Sequence, residues 1–394
     1  MEEKNKLIKT RKKTNTINKQ KVRNPGVDLC RILGMIDIVI FHLILSLYKK
    51  FSNKFNSQIK YMEILTQWHI SNFGIISGIV GFKTNKYSNL LYLYLMVLFY
   101  SLTFHYIYNK YFSKKYNFYG SDIVKNVEYY FPLIYNHYWY FTTYFGMYLF
   151  LPLINKGLFY VNKEELLIIL VSTIGIFFIW KDLMSNKPNN FCTDTSITTL
   201  LVYFLIGAYI GKYVINENMH KNKHIFYYLF WILIFIISSY ITYYSTFYIG
   251  NNKYKLALKR LFYCTSNSIG MVLESISIIL IFTQIKYNKY LGKIISFFGP
   301  LTFSVYLTHN HMDVRGKIAY YLLKFYPDNC SFTSVCIITI LNGIKVYGVC
   351  IIIDYIRSLL FKLLRIRQIC IFIEKIIFSF FKITTGQSIK NLKH

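Results

Sequence analysis

Residues 28–43 read DLCRILGMIDIVIFHL, a stretch apolar enough to cross a membrane that nevertheless carries Asp28, Arg31, Asp37 and His42. Each such group costs roughly 2.5–3.5 kcal/mol at mid-membrane on the insertion scale. A helix that only anchored the chain would use Leu, Ile and Val at those positions. Helical geometry sorts the four. Arg31 and His42 differ by about 20° around the axis and by about 16.5 Å along it, so they share a face. Asp28 is three positions before Arg31 and can pair with it. Asp37 points well over 100° away from that stripe and reads as structural, bonded to another helix. Asp28–Arg31 as a plain boundary ion pair and His42 as a hydrogen-bonded structural histidine are the bland readings of the same face.

Outward from this stretch the chain repeats the pattern. Of its 394 residues, 54% are hydrophobic and only 16% charged, against about 25% charged in a typical soluble domain. Apolar blocks recur from near residue 28 to near 361, too many for one buried core. Spans of about 20 residues are expected at 28–48, 64–82, 89–108, 136–154, 165–181, 195–213, 225–245, 261–283, 296–312 and 335–361. The fold class is therefore an all-α polytopic membrane protein with about ten transmembrane helices in one bundle. Residues 1–26 are expected as a disordered basic arm, 27–362 as the membrane domain, and 363–394 as a basic tail with a helix lying on the inner leaflet. The connection at 109–135, rich in aromatics, suggests an interfacial or re-entrant segment.

The net charge of +29 sits in the first 25 residues, in short loops and after the last span. That placement suits membrane lipids and topology, not nucleic acid. An even number of spans with basic ends puts both termini in the cytoplasm. Seven scattered cysteines without a CxxC pair read as small core hydrophobes. No HExxH, CxxC or paired-carboxylate motif argues for a metal.

The opening stretch, with Arg-x10-His, resembles the first signature of the membrane acyltransferase-3 family. Four further blocks follow in that family's order: ISNFGIISGIVGFKTNKYSNLL with Ser77 and Gly78; YWYFTTYFGMYLFLPLIN with Trp139, Tyr140 and Pro152; LLVYFLIGAYIGKY with Gly207 and Gly211; and FFGPLTFSVYLTHNH with Tyr306 and His309. The resemblance spans roughly residues 24–361. It departs from the pattern at Ile79, where an aromatic commonly follows Ser-Gly, and at HMDVR, where Pro often follows the late His. The second departure leaves open which of His309 and His311 faces the site.

The resemblance implies an O-acyltransferase of the bacterial cell membrane. It would move an acetyl or other short acyl group from acyl-CoA, acetyl-CoA above all, to a hydroxyl of a cell-surface glycan. It implies His42 as the base and Arg31 as the group that positions or neutralises the donor. Acyl transfer needs both a base and positive charge or hydrogen-bond donors near the reacting carbonyl. Asp28, Ser77, Gly78, Trp139, Tyr140, Tyr306 and His309 are the supporting candidates for substrate or donor binding. Ser77-Gly78 also reads as helix packing. A secondary transporter and a catalytically inactive acyltransferase-like partner are the competing functions.

Overall fold

The first helix starts at a fixed point. Asn24 Oδ1 accepts from the Gly26 N–H (2.8 Å), its Nδ2 donates to the Thr283 carbonyl (2.9 Å), and Pro25 occupies the first turn of α1 (Pro25–Thr66). The structure, a computed structural model, describes residues 23–384 apart from 83–85, 112–122, 181–195, 216–222, 248–260, 263 and 266–267. Most of the expected basic arm, part of the 109–135 connection, the end of the C-terminal tail and Cys192 lie outside the described residues.

α1 departs from the expected span at 28–48. It runs for 42 residues, with one non-helical residue at Phe55 (φ −135°, ψ 30°). At 1.5 Å per residue that is about 63 Å, roughly twice the hydrocarbon thickness. The reason lies in residues 49–66, which contain no Gly or Pro and repeat Phe51, Phe55 and Ile59 at four-residue spacing. Phe51 and Ile59 are buried against Tyr326, Cys330 and Val335. Lys50 donates to the Tyr326 carbonyl (2.6 Å) and pairs with Asp328 (2.8 Å), fixing the same contact.

The chain continues through α2 (His69–Gly81), α3 (Tyr87–Tyr111), the short α4 (Ile123–Tyr130), α5 (Trp139–Tyr160) and α6 (Lys163–Ile174). Next come α7 (Ile197–Tyr209), α8 (Ile225–Phe247) and α9 (Ile269–Gln284); α6 and α7 each end in a π-turn, Gly175–Trp180 and Ile210–Ile215. α10 (Lys289–Phe298) and α11 (Thr302–His309) are joined by a 3₁₀ turn, Gly299–Leu301, and followed by α12 (Met312–Leu323), α13 (Phe332–Leu363) and α14 (Ile366–Thr384). No strand occurs among the described residues. Most of the expected spans fall largely on helix, but of 261–283 only the part from Ile269 onward is a continuous helix among the described residues; the protein is an all-α integral membrane protein. Six helical stretches among the described residues are long and apolar enough to cross a membrane: Pro25–Gly81, Tyr87–Tyr111, Ile197–Ile215, Ile225–Phe247, Lys289–His309 and Phe332–Leu363. α9, with 16 residues, falls short of that length.

Two close approaches position the site. A Cβ on Gly78 would lie 2.0 Å from the Phe204 carbonyl oxygen, and one on Gly207 would lie 1.9 Å from that of Ile75. The α2 and α7 backbones therefore touch, as small residues allow in membranes. Pro300 breaks the α10–α11 helix, and a Cβ on Gly299 would meet Asp28 at 2.6 Å, so the break seats on the start of α1. From there α11 runs beside α1, with Val305 and Leu307 buried in one cluster with Met35 and Val39. That alignment brings the end of α11 level with the middle of α1.

At the C-terminal side, Arg365 takes a left-handed conformation (φ 53°) and α14 turns back, with the Phe378 ring 6.1 Å from that of Tyr87 on α3.

Candidate active site

His42 and His309 meet where α1 and α11 lie side by side. The His42 Nδ1 is 3.0 Å from the His309 Nε2. The His309 Nδ1 in turn bonds the Val305 carbonyl one helical turn back. A carbonyl only accepts, so the His309 Nδ1 carries the proton. A neutral His309 then presents a bare Nε2, which accepts from the His42 Nδ1–H. This assignment, made from the hydrogen-bond network, leaves the His42 Nε2 with a lone pair and no hydrogen bond among the described residues. The second histidine of the late block goes elsewhere. His311 Nε2 faces the Ser101 carbonyl (3.2 Å), beside His137, Tyr129 and Asp313. Of the two, His309 faces His42.

The pair lies between two cavities. A small one, about 130 Å³, is walled by Met35, Phe41, Phe73, Trp139, Tyr140, Phe303 and Tyr306, with His42 and His69 on its surface. A larger one, about 530 Å³, runs from His42 and His309 past Val39, Leu43 and Ile318 to Lys49, Arg315 and Tyr320. His42 lines both. The Tyr306 hydroxyl accepts from the Tyr140 N–H (3.3 Å) at the start of α5, which ties the aromatic wall to α11.

Arg31 sits toward the other end of α1. Its Nη1 donates to Asp28 Oδ1 (2.7 Å), and Asp28, only 1% exposed, is also held by both Nε and Nη2 of Arg23. The expected Asp28–Arg31 pair is present, extended by Arg23. Arg31 is not among the residues lining either cavity, although Met35, one turn further along, is. Asp37 points the other way, to the Trp68 indole and toward the buried Glu274. Ser77 and Gly78 stand apart from the cavities: Ser77 Oγ donates to the Phe73 carbonyl (2.8 Å), and Gly78 sits at the α2–α7 contact.

The sequence reading passed over three neighbours of the pair. His69, the first residue of α2, bonds the Thr66 carbonyl through Nδ1 and faces the small cavity. Its signal was a histidine opening a buried helix. Arg315 lies six residues beyond His309, where HMDVR departed from the family pattern, and it lines the large cavity. Asn310 lines the small cavity and accepts from Arg315 Nη1 (3.2 Å). Among the described residues, no group of three or more His, Cys, Asp or Glu side chains is arranged to hold a metal ion.

Taken together, the arrangement offers a lone-pair nitrogen with a fixed tautomer, an aromatic chamber on one side and a cationic opening on the other. A family model described as an acyltransferase domain matches residues 24–347. No curated protein and no solved structure matches the chain.

Proposed function

The chain belongs to the membrane acyltransferase-3 family, and from that premise we propose that it transfers an acetyl or other short acyl group from acyl-CoA to a hydroxyl of a cell-surface glycan. The membrane acyltransferase is the family's; the donor, acceptor and residue roles are our reading. The single observation that carries it is the His42–His309 pair, with its free His42 nitrogen at the meeting point of two cavities.

In this reading the His42 Nε2 takes the proton of the acceptor hydroxyl as its oxygen attacks the thioester carbon. The new C–O bond forms, the C–S bond breaks, and the imidazolium returns the proton to the departing thiolate, giving acyl ester and free CoA. His309 positions His42: a bare Nε2 facing the Nδ1–H stabilises the imidazolium as it forms, much as an orienting acceptor does in a catalytic triad. The small aromatic chamber suits a short acyl group. Arg31, pinned by Asp28, stands at the donor end of the same helix face, and the larger cavity receives the acceptor.

The test is product analysis. Protein in nanodiscs is incubated with acetyl-CoA labelled in the acetyl group and a mixed preparation of cell-surface glycans, and ester-linked label is sought by mass spectrometry. Label that is released as acetate by mild base, and is absent without protein, supports the reading. Absence of both transfer and acetyl-CoA binding would defeat it.

A further inference from the structure

The larger cavity has a one-sided charge. Arg315 and Lys49 line it and no Asp or Glu does. Arg315 reaches only the neutral Asn310 oxygen, and neither cation is ion-paired with a described carboxylate. Two other lysines of α1 are ion-paired instead, Lys50 with Asp328 (2.8 Å) and Lys60 with Glu63 (2.8 Å). On the same wall Tyr320 is 60% exposed, with Lys324 Nζ 4.8 Å from its ring centroid. A cavity wall that combines an aromatic ring with Arg315 and Lys49, neither held by a described carboxylate, suits an acidic sugar: C–H groups of the pyranose rest on the ring, and the anion meets charge-assisted donors. A volume of about 530 Å³ is in the range of small-molecule sites.

We propose that the acceptor is an acidic glycan, whose carboxylate or phosphate is held by Arg315 and Lys49 and whose ring rests on Tyr320 while a neighbouring hydroxyl meets His42. This rests on the acyltransferase reading above and adds the acceptor's charge to it. Removing a hydrogen bond to a charged group costs on the order of 1.5–3 kcal/mol, or about 10- to 100-fold in affinity.

The experiment uses full-length protein in phosphatidylcholine nanodiscs with acetyl-CoA and three acceptors: p-nitrophenyl β-glucoside, p-nitrophenyl β-glucuronide and glucose 6-phosphate. Free CoA is followed for wild type, Arg315→Gln and Lys49→Gln, each first checked for a monodisperse elution profile. The expected result is at least tenfold higher kcat/KM for an acidic acceptor than for the glucoside. Arg315→Gln then removes that preference by raising acceptor KM while acetyl-CoA KM stays put, and Lys49→Gln gives a smaller loss in the same direction. Equal use of the glucoside overturns the proposal, as does an effect confined to acetyl-CoA KM, which would make this the donor's cavity. A preference that vanishes in nanodiscs containing phosphatidylglycerol assigns the cations to a lipid headgroup and also overturns it. Acetyl-CoA binding without CoA release on any acceptor overturns the proposal and leaves the acyltransferase reading standing. Absence of acetyl-CoA binding ends both.

Discussion

His42 and His309 are 267 residues apart in the chain and 3.0 Å apart at their ring nitrogens. The direction of the bond between them follows from one further contact, the Val305 carbonyl on His309 Nδ1. Reversing it would require both His309 nitrogens to carry protons. In the proposed reaction the two residues of the same type therefore take different jobs, base for His42 and orienting acceptor for His309.

That division predicts unequal effects. His309→Ala should lower kcat by roughly 10- to 100-fold with little change in acetyl-CoA KM, because His42 loses the acceptor that orients its ring and stabilises its imidazolium. His309→Gln, whose amide oxygen can accept from His42 Nδ1–H, should recover part of that loss and restore the shape of the pH–rate profile. Equal rates for the two variants would mean that the position only fills space.

Asp28 is the shared partner of two arginines. Asp28→Ala leaves Arg23 and Arg31 facing each other without a counter-charge. Because both arginines are partly exposed, the expected loss is about 1–3 kcal/mol, below that of a fully buried pair. Thermal unfolding in detergent measures it. If Arg31 positions the donor, the same variant should raise the KM for acetyl-CoA, and Arg31→Gln should do so without the drop in stability.

The α2–α7 contact makes a sharper structural prediction. Gly78→Ala would put a methyl group 2.0 Å from the Phe204 carbonyl oxygen, so the two backbones must separate. The cost is about 1–3 kcal/mol or more, seen as a smaller monodisperse fraction after purification. Gly157→Ala and Gly348→Ala meet no atom within 4 Å and should purify like wild type.

Asp313, on α12 beyond the expected spans, gives a pH-dependent effect. Burial raises its carboxyl above the ordinary range, partly opposed by the Tyr129 hydroxyl (3.1 Å) and by His105. The folded state then favours the protonated acid. Stability from this group is present below the unfolded pKa of about 3.9 and is lost as pH rises through the higher folded value. Asp313→Asn should therefore be at least as stable as wild type at neutral pH, with its advantage shrinking as pH falls toward 4. A wild type that is the more stable of the two at neutral pH would reverse the sign.

Much of this was readable in the chain because helical repetition is local. The eleven-residue spacing placed Arg31 and His42 on one face, and the Asp28–Arg31 pair follows from their three-residue spacing. Asp37 points away from that face toward Trp68 and Glu274, as a residue over 100° off the stripe must. The expected span at 28–48 stopped short of the true end of α1, because residues 49–66 are too polar for a span although they lack Gly and Pro and keep Phe51, Phe55 and Ile59 in step. The choice between His309 and His311 was not legible. It depends on where α11 ends and on the Ser101 carbonyl of α3, more than 200 residues away. His69 was hidden for the same reason: facing the site takes the turn at Gln67–Trp68, a matter of packing between helices and not of spacing within one.

The most direct measurement compares free CoA release from acetyl-CoA by wild type and His42→Ala in nanodiscs, with a glycan acceptor present and acetyl-CoA binding followed in parallel. The account predicts that the variant still binds acetyl-CoA but loses turnover by roughly 10²- to 10⁴-fold, the contribution of a positioned base. Turnover by His42→Ala at the wild-type rate would contradict it and remove His42 from the chemistry.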